Sequence, residues 1–99
     1  MIGNIFDPTM TNLEGGISKA TKIQEVISQN IANANTPGYI PKKFDEVLNK
    51  AVERKDRTSV NMEEEMADMA KNNIEHSSYI KMLVTKFAVL RSVITQGRK

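Results

Sequence analysis

The sequence predicts an all-α protein in which two long heptad helices, one N-terminal and one C-terminal, pack antiparallel across a short irregular middle segment. Two apolar series with alternating four- and three-residue spacing predict these helices. A Thr-Pro-Gly turn at residues 36–38 separates the first series from the middle segment. Because 99 residues suffice for one modest core, we assign residues 1–99 to a single helical domain.

The first helix is predicted over about residues 11–35. Its apolar series is Leu13, Ile17, Ala20, Gln24, Ile27, Ile31 and Ala34, a spacing typical of a coiled-coil seam. Thr11 and Glu14 would form a capping box, but Gly15 and Gly16 follow, and each costs about 1 kcal/mol inside a helix. The helix therefore begins either at Thr11 with a weak point or firmly near Ile17.

The stretch NIANANTPGY is predicted to end this helix and redirect the chain. Pro37 biases Thr36 away from helical geometry, and Pro37 with Gly38 suits the centre of a type II turn, because Gly accepts a positive φ. An ordinary helix end is the simpler alternative, although three asparagines and two alanines are more than a stop signal requires. The candidate site comprises Asn30, Ile31, Ala32, Asn33, Ala34, Asn35, Thr36, Pro37, Gly38 and Tyr39.

The turn and connector occupy residues 36–60. Within them, Phe44, Val47, Leu48 and Ala51 would suffice for about two helical turns. The charged run at residues 53–57 is more typical of a solvated connector than of a binding patch.

The second helix is predicted over about residues 61–97. Asn61 is a good N-cap with Glu64 three residues later, and the basic residues Arg91, Arg98 and Lys99 near the other end suit the helix dipole. Its seam is Met62, Met66, Met69, Asn73, His76, Ile80, Leu83, Phe87, Leu90 and Ile94. Such a helix is roughly 50 Å long and needs a partner along its whole length.

The two seams predict a helix-helix interface. Its residues are Ile17, Ala20, Ile27 and Ile31 of the first helix and Met66, Met69, Ile80, Leu83, Phe87, Leu90 and Ile94 of the second. The first helix covers only part of the second, so self-association is expected, with partial disorder before assembly. Asn73 and His76 interrupt the seam; they either set its register as buried polar residues or face solvent.

Composition argues against several other classes of protein. The chain has no Cys and one His, so we expect no disulfide, no metal site and no cofactor, and no catalytic residues are assigned. Fourteen basic residues against twelve acidic ones are too balanced for a nucleic-acid footprint. No apolar run is long enough to span a bilayer, and the first residues lack the basic region of a cleaved signal peptide.

The turn sequence, set between two heptad helices, resembles the bacterial flagellar rod, hook and hook-associated proteins, and most of all the basal-body rod proteins. The similar stretches are QEVISQNIANANTPGY (residues 24–39), VNMEEEMADMAKNN (residues 60–73) and KFAVLRSVITQGR (residues 86–98). The chain departs from that family in its middle segment, which is shorter than usual.

The resemblance implies a structural subunit of the flagellar basal-body rod. Such a subunit assembles helically with other rod proteins, transmits torque and forms part of the export channel wall. Its implied partners are other rod proteins, a FliE-type adaptor and the membrane ring. Its implied location is the periplasmic rod, reached through the flagellar type III apparatus without signal cleavage. The alternative is a soluble coiled-coil adaptor or regulator of flagellar type III secretion, which would use the same seams and remain discrete.

Overall fold

The computed structural model describes residues 8–97 and contains two helices and one β-hairpin. The elements are α1 (Pro8–Ala32), β1 (Lys42–Asp45), β2 (Lys50–Glu53) and α2 (Met62–Gly97). The molecule is elongated, with dimensions of 66 × 24 × 16 Å. Of the basic residues expected near the end of the second helix, Arg98 and Lys99 lie outside the described residues.

Helix α1 is continuous through the two glycines that suggested a weak point. It begins at Pro8, where proline costs little because the first helical N–H groups have no partner inside the helix. It ends at Ala32, so both ends fall three residues before the predicted limits of 11 and 35. Apart from Pro41, the buried apolar residues of the described chain lie on α1: Met10, Leu13, Ala20, Val26 and Ile27.

The two helices run antiparallel. Asn30 near the end of α1 bonds to Glu65 near the start of α2, and the carbonyl of Ala20 accepts a bond from Asn72 further along. Residues later in α2 therefore contact residues earlier in α1.

The connector is a β-hairpin, so the all-α prediction holds for the two helices and not for the segment between them. The strands are antiparallel, and their register pairs Lys42 with Glu53 and Asp45 with Lys50. Asp45 Oδ1 accepts the N–H groups of Val47 and Leu48 at 2.9 and 3.0 Å, and this closes the loop locally. The prediction of helical turns over residues 44–51 is wrong. Asp45 holds the loop in a tight turn, and the residues on either side of it pair as antiparallel strands.

Helix α2 is one uninterrupted element of 36 residues, about 54 Å at 1.5 Å per residue. Asn61 Oδ1 accepts the N–H of Glu64 at 3.2 Å, the capping bond expected from the sequence. Within residues 8–97, neither helix combines the length and the apolar character that a membrane crossing needs.

Candidate assembly interface

Asn30, the first residue of the turn motif, is a buried hydrogen-bond hub with 1% of its surface exposed. Its Nδ2 donates to the carbonyl of Lys42 at 2.8 Å and to Glu65 Oε1 at 3.0 Å. Its Oδ1 accepts from the Tyr39 hydroxyl at 2.8 Å and from the N–H of Lys42 at 2.9 Å. One amide therefore joins the end of α1, the exit from the turn, the start of β1 and the first turns of α2.

The rest of the motif shapes the chain between Asn30 and its partner Tyr39. The N–H of Tyr39 donates to the carbonyl of Thr36 at 3.2 Å, and Gly38 has a φ of 77°, so residues 36–39 form a type II turn with Pro37 at its second position. Asn33 stabilises the preceding helix end, because its Nδ2 donates to the carbonyl of Gln29 at 2.9 Å. The turn thereby returns Tyr39 to the Asn30 amide.

Glu65 is the buried acid of this hub, with 3% of its surface exposed. Burial raises the pKa of its carboxyl group, and the hydrogen bond from Asn30 opposes that rise by stabilising the charged form. Burial also raises the pKa of the Tyr39 hydroxyl, with a further contribution from the nearby Glu65 charge. The hub therefore holds a carboxylate in a site with little access to water.

A cluster of opposite charges fastens the hairpin to the start of α2. Arg54 donates to Glu64 Oε1 at 2.7 Å and binds the Asp56 carboxylate through both Nε and Nη2. Arg57 also donates to Glu64. The hydrogen bond from Arg54 lowers the pKa of Glu64, and burial opposes this shift more weakly. The other side of the hairpin is tied to α1 through Lys19 and Glu46, whose charged atoms lie 2.5 Å apart.

Two side chains of α2 set its distance from α1. Asn72, buried to 5% exposure, donates to the carbonyl of Ala20 at 2.8 Å. The ring of Tyr79 lies directly on the backbone of Gly16, where a Cβ atom would be 2.8 Å from Tyr79 Cε1. The absence of a side chain at Gly16 therefore lets the Tyr79 ring of α2 pack directly on α1.

The buried and half-buried face of α2 differs from the predicted seam. Its positions recur every four and three residues: Glu65, Met69, Asn72, His76, Tyr79, Leu83, Lys86 and Leu90. Four of these belong to the predicted seam, namely Met69, His76, Leu83 and Leu90. At the other four positions, the residue that faces α1 lies one place before the predicted seam residue. Hydrogen bonds and ring packing allow Glu65, Asn72 and Tyr79 to take these positions in place of apolar side chains.

The displaced apolar residues form an unpartnered face on the described chain, which we call the outer stripe. It comprises Met62, Met66, Ile80, Val84, Phe87 and Ile94, with exposures from 40% to 61%. At 100° per residue these six lie within about a quarter of the helix circumference. Most charged residues of α2 lie away from this stripe. Other exposed apolar residues lie elsewhere around the helix, namely Ile74, Met82, Val89 and Val93.

The structure places the predicted interface residues in three groups. Ala20 and Ile27 are buried between the elements of the chain; Ile17, Ile31, Met69, Leu83 and Leu90 are half-buried. Met66, Ile80, Phe87 and Ile94 are exposed and lie on the outer stripe. Asn73 is exposed, whereas His76 is half-buried. Only part of the predicted interface therefore packs within the chain.

Several residues that organise this region escaped the sequence analysis. Apolar spacing does not predict Glu65, Asn72 and Tyr79, because the series one residue before the predicted seam is largely polar. Arg54 was assigned to a solvated run, yet its side chain is only 16% exposed. The seven-residue spacing of residues 65, 72, 79 and 86 is a signal in the sequence for this face of α2.

Comparison with known proteins gives two matches. The family model described as flagella basal body rod protein matches residues 10–39, from the first buried residue of α1 to the tyrosine of the hub. The chain is 27% identical to the flagellar basal body rod protein FlgB of Bacillus subtilis (strain 168) over 128 aligned residues, which cover 96% of this chain and 99% of that protein.

The two matches agree with each other and with the geometry. The family segment contains Asn30, Tyr39 and the turn between them, and the similarity to FlgB extends over both helices. The alignment is longer than the 99 residues of the chain, so FlgB contains residues with no counterpart here. This chain is therefore similar to flagellar basal body rod proteins, to the family model over residues 10–39 and to FlgB over nearly its whole length.

Proposed function

We propose that this chain is a structural subunit of the flagellar basal body rod, which assembles helically through α2 with other rod proteins, transmits torque and contributes to the export channel wall. The observation that carries the proposal is the outer stripe, six apolar side chains that remain 40% to 61% exposed on one side of a helix. An exposed apolar face of this kind is stabilised by covering it with another protein surface.

The dimensions of the helices support the same proposal. Helix α1 has 25 residues and α2 has 36, so α2 is longer than its antiparallel partner. Residues 91–97 of α2 are all exposed. A rod subunit would bury this end against neighbouring subunits, where each fully covered large apolar side chain contributes about 1.5–3 kcal/mol.

The partners and the route to the rod are proposed from the similarity to flagellar basal body rod proteins. The partners would be other rod proteins, a FliE-type adaptor and the membrane ring, at the periplasmic rod. Export through the type III apparatus requires the chain to unfold at low cost. The small number of buried apolar side chains on the described residues suits this requirement.

A charge on the outer stripe tests the proposal directly. Phe87→Asp is expected to abolish incorporation into basal bodies and motility in cells that lack the wild-type gene, because a carboxylate would be buried between subunits. The matched control is Val89→Asp, since Val89 is 57% exposed and Phe87 is 49% exposed, yet Val89 lies nearly opposite on the helix.

Circular dichroism of both purified variants should match the wild type, because neither side chain is buried within the chain. Incorporation would be measured by immunoblotting of isolated basal bodies. Normal incorporation of Phe87→Asp, or equal loss in both variants, would contradict a specific role for the outer stripe.

A further inference from the structure

We propose that the hairpin forms only when the first turns of α2 dock on α1, so that the chain completes its middle segment after its two helices have paired. The residues that couple the two events are Glu64 and Glu65, neighbours on α2 that each hold a different strand. The inference goes beyond the proposed function and does not depend on it, because it concerns the folding of a single chain.

The hairpin has little packing of its own. Each strand has four residues, and no residue of either strand is buried. At the tip of the loop, Val47 is 93% exposed and Leu48 is 56% exposed. A two-stranded hairpin without further packing is at best marginally stable in water. Its order in this chain must therefore come from contacts with the helices.

Strand β1 is held through Asn30. The side-chain amide of Asn30 pairs with both backbone groups of Lys42, much as a residue of a neighbouring strand would. The Nδ2 group of the same amide also donates to Glu65 Oε1. Because a carboxylate only accepts hydrogen bonds, Glu65 selects the amide orientation in which Oδ1 faces the N–H of Lys42. The start of α2 therefore fixes the group that binds β1.

Strand β2 is held through Arg54, the residue that follows it. The N–H of Arg54 donates to the carbonyl of Pro41 at 2.8 Å, which extends the strand pairing by one more bond. The guanidinium of Arg54 donates to Glu64 Oε1 at 2.7 Å, and Arg57 donates to Oε2 of the same carboxylate. A carboxylate at the start of α2 therefore anchors the end of β2.

The polar contacts between the loop and α1 lie at the surface. Lys19 pairs with Glu46, and Lys22 donates to Asn49 Oδ1 at 3.0 Å. Exposed pairs of this kind contribute little to stability, because water screens the charges and the long side chains lose freedom. They position the loop along α1, and docking of α2 supplies what the strands need in order to form.

The coupling controls when open strand edges appear. The sheet of the described chain has two strands, so each strand has one edge without a neighbouring strand. Such edges can pair with other chains and lead to aggregation. Because the hairpin forms only with the docked helix pair, a chain whose helices are still apart exposes no such edge. The coupling is reciprocal, so the hairpin also stabilises the docked start of α2.

Hydrogen exchange in the isolated full-length chain tests this coupling. The test variant combines Glu64→Ala with Glu65→Ala and removes both anchors, while alanine still favours the helix. The matched control combines Glu63→Ala with Asp68→Ala, two exposed acidic residues in the same part of α2. Exchange would be followed by NMR for the hairpin amides and for residues 69–79, which pack against α1.

In the test variant we expect the hairpin amides, including the N–H of Arg54, to exchange about 100-fold faster than in the control. Residues 69–79 should keep the protection of the control, because Asn72 and Tyr79 still hold α2 on α1. Unchanged exchange of the hairpin amides, with residues 69–79 protected, would overturn the inference.

A milder variant decides the question if the double substitution also unfolds the helix pair. Glu64→Gln keeps the length of the side chain and removes the charge that Arg54 binds, and Glu63→Gln is its control. We expect the hairpin amides to exchange about tenfold faster in Glu64→Gln than in Glu63→Gln, since charge-assisted hydrogen bonds are the stronger ones. Equal exchange in the two variants would overturn the inference.

The reverse direction gives an independent measurement. Val52 pairs with Lys43 in the hairpin, and Val52→Pro removes its N–H, whereas Val52→Thr keeps the N–H and a branched side chain. We expect the amides of residues 65–68 to exchange faster in Val52→Pro than in Val52→Thr, because the start of α2 loses the stabilisation that the hairpin provides. Equal exchange of residues 65–68 in these two variants would also overturn the inference.

Discussion

At the scale of single residues, Asn30 shows why a primary amide is required at the first position of the turn motif. An asparagine side chain has two donors and two acceptor positions, and the four hydrogen bonds at this site use all of them. An aspartate could not donate to Glu65 and would add a second negative charge beside it. Alanine would leave four polar partners without their hydrogen bonds.

Asn30→Ala is accordingly expected to lower the free energy of unfolding by about 2–4 kcal/mol, since buried groups lose their partners. Urea unfolding followed by circular dichroism measures the change. Asn35→Ala is the control, because Asn35 belongs to the same motif but is exposed. A loss of similar size in both variants would contradict the role assigned to the hub.

Glu65 provides a prediction about pH. Burial raises the pKa of its carboxyl group in the folded chain above the unfolded value of about 4.3. Its contribution to stability is therefore fully present below the unfolded pKa and is lost as pH rises through the folded pKa. Glu65→Gln removes this loss and keeps an oxygen that can accept from Asn30.

The Glu65→Gln variant should therefore unfold at higher urea concentration than the wild type at pH 7, and the difference should shrink as pH falls toward the unfolded pKa. Glu63→Gln controls for the change of charge near the helix start, because Glu63 lies in the same turn and is exposed. A Glu65→Gln variant less stable than the wild type at pH 7 would show that the buried charge is net stabilising.

At the scale of elements, α1 combines a replaceable glycine with one that the packing requires. No atom outside the helix lies within 4 Å of a Cβ placed at Gly15, whereas a Cβ at Gly16 would meet the ring of Tyr79 at 2.8 Å. The cost of Gly15 is therefore only its flexibility. Gly16 allows the two helices to approach closely enough for the ring to pack.

Gly15→Ala should raise the free energy of unfolding by up to about 1 kcal/mol, because alanine favours the helix. Gly16→Ala should lower it by about 1 kcal/mol, since the displacement of Tyr79 outweighs that gain. Thermal unfolding of the two variants measures both effects against the wild type. Stabilisation by both substitutions would contradict the close packing of α1 on α2.

The hairpin is the element that hydrophobic periodicity did not predict. Its strands have only four residues each, too few for an alternating pattern to stand out. Its loop is closed by Asp45, and Asn49 has a positive φ of 55°, a conformation that asparagine tolerates better than most residues. Its position depends on the bonds of Asn30 to Lys42 and of Arg54 to Glu64, which join separate elements of the chain.

At the scale of the whole molecule, the chain is extended. Its radius of gyration is 18.5 Å, compared with about 13 Å for a compact domain of this length. The extension comes from α2, whose last residues have no cover among the described residues. Such a shape suits a subunit that completes its packing in an assembly.

Hydrogen exchange tests this consequence. In the isolated chain, the amides of residues 91–97 should exchange much faster than those of residues 69–79, which pack against α1. In assembled basal bodies the difference should largely disappear, because neighbouring subunits cover the end of α2. Strong protection of residues 91–97 in the dilute monomer would contradict the expected partial disorder before assembly.

The sequence by itself determined the two helices, the cap at Asn61, the turn at Pro37 and Gly38, and the resemblance to flagellar rod proteins. These features depend on local backbone preferences and on residue spacing, both of which can be read directly from the sequence. Only the tertiary structure decided which face of α2 turns inward and which becomes the outer stripe. The reason is that Glu65 and Asn72 are buried through bonds to Asn30 and Ala20, which lie 35 and 52 residues away.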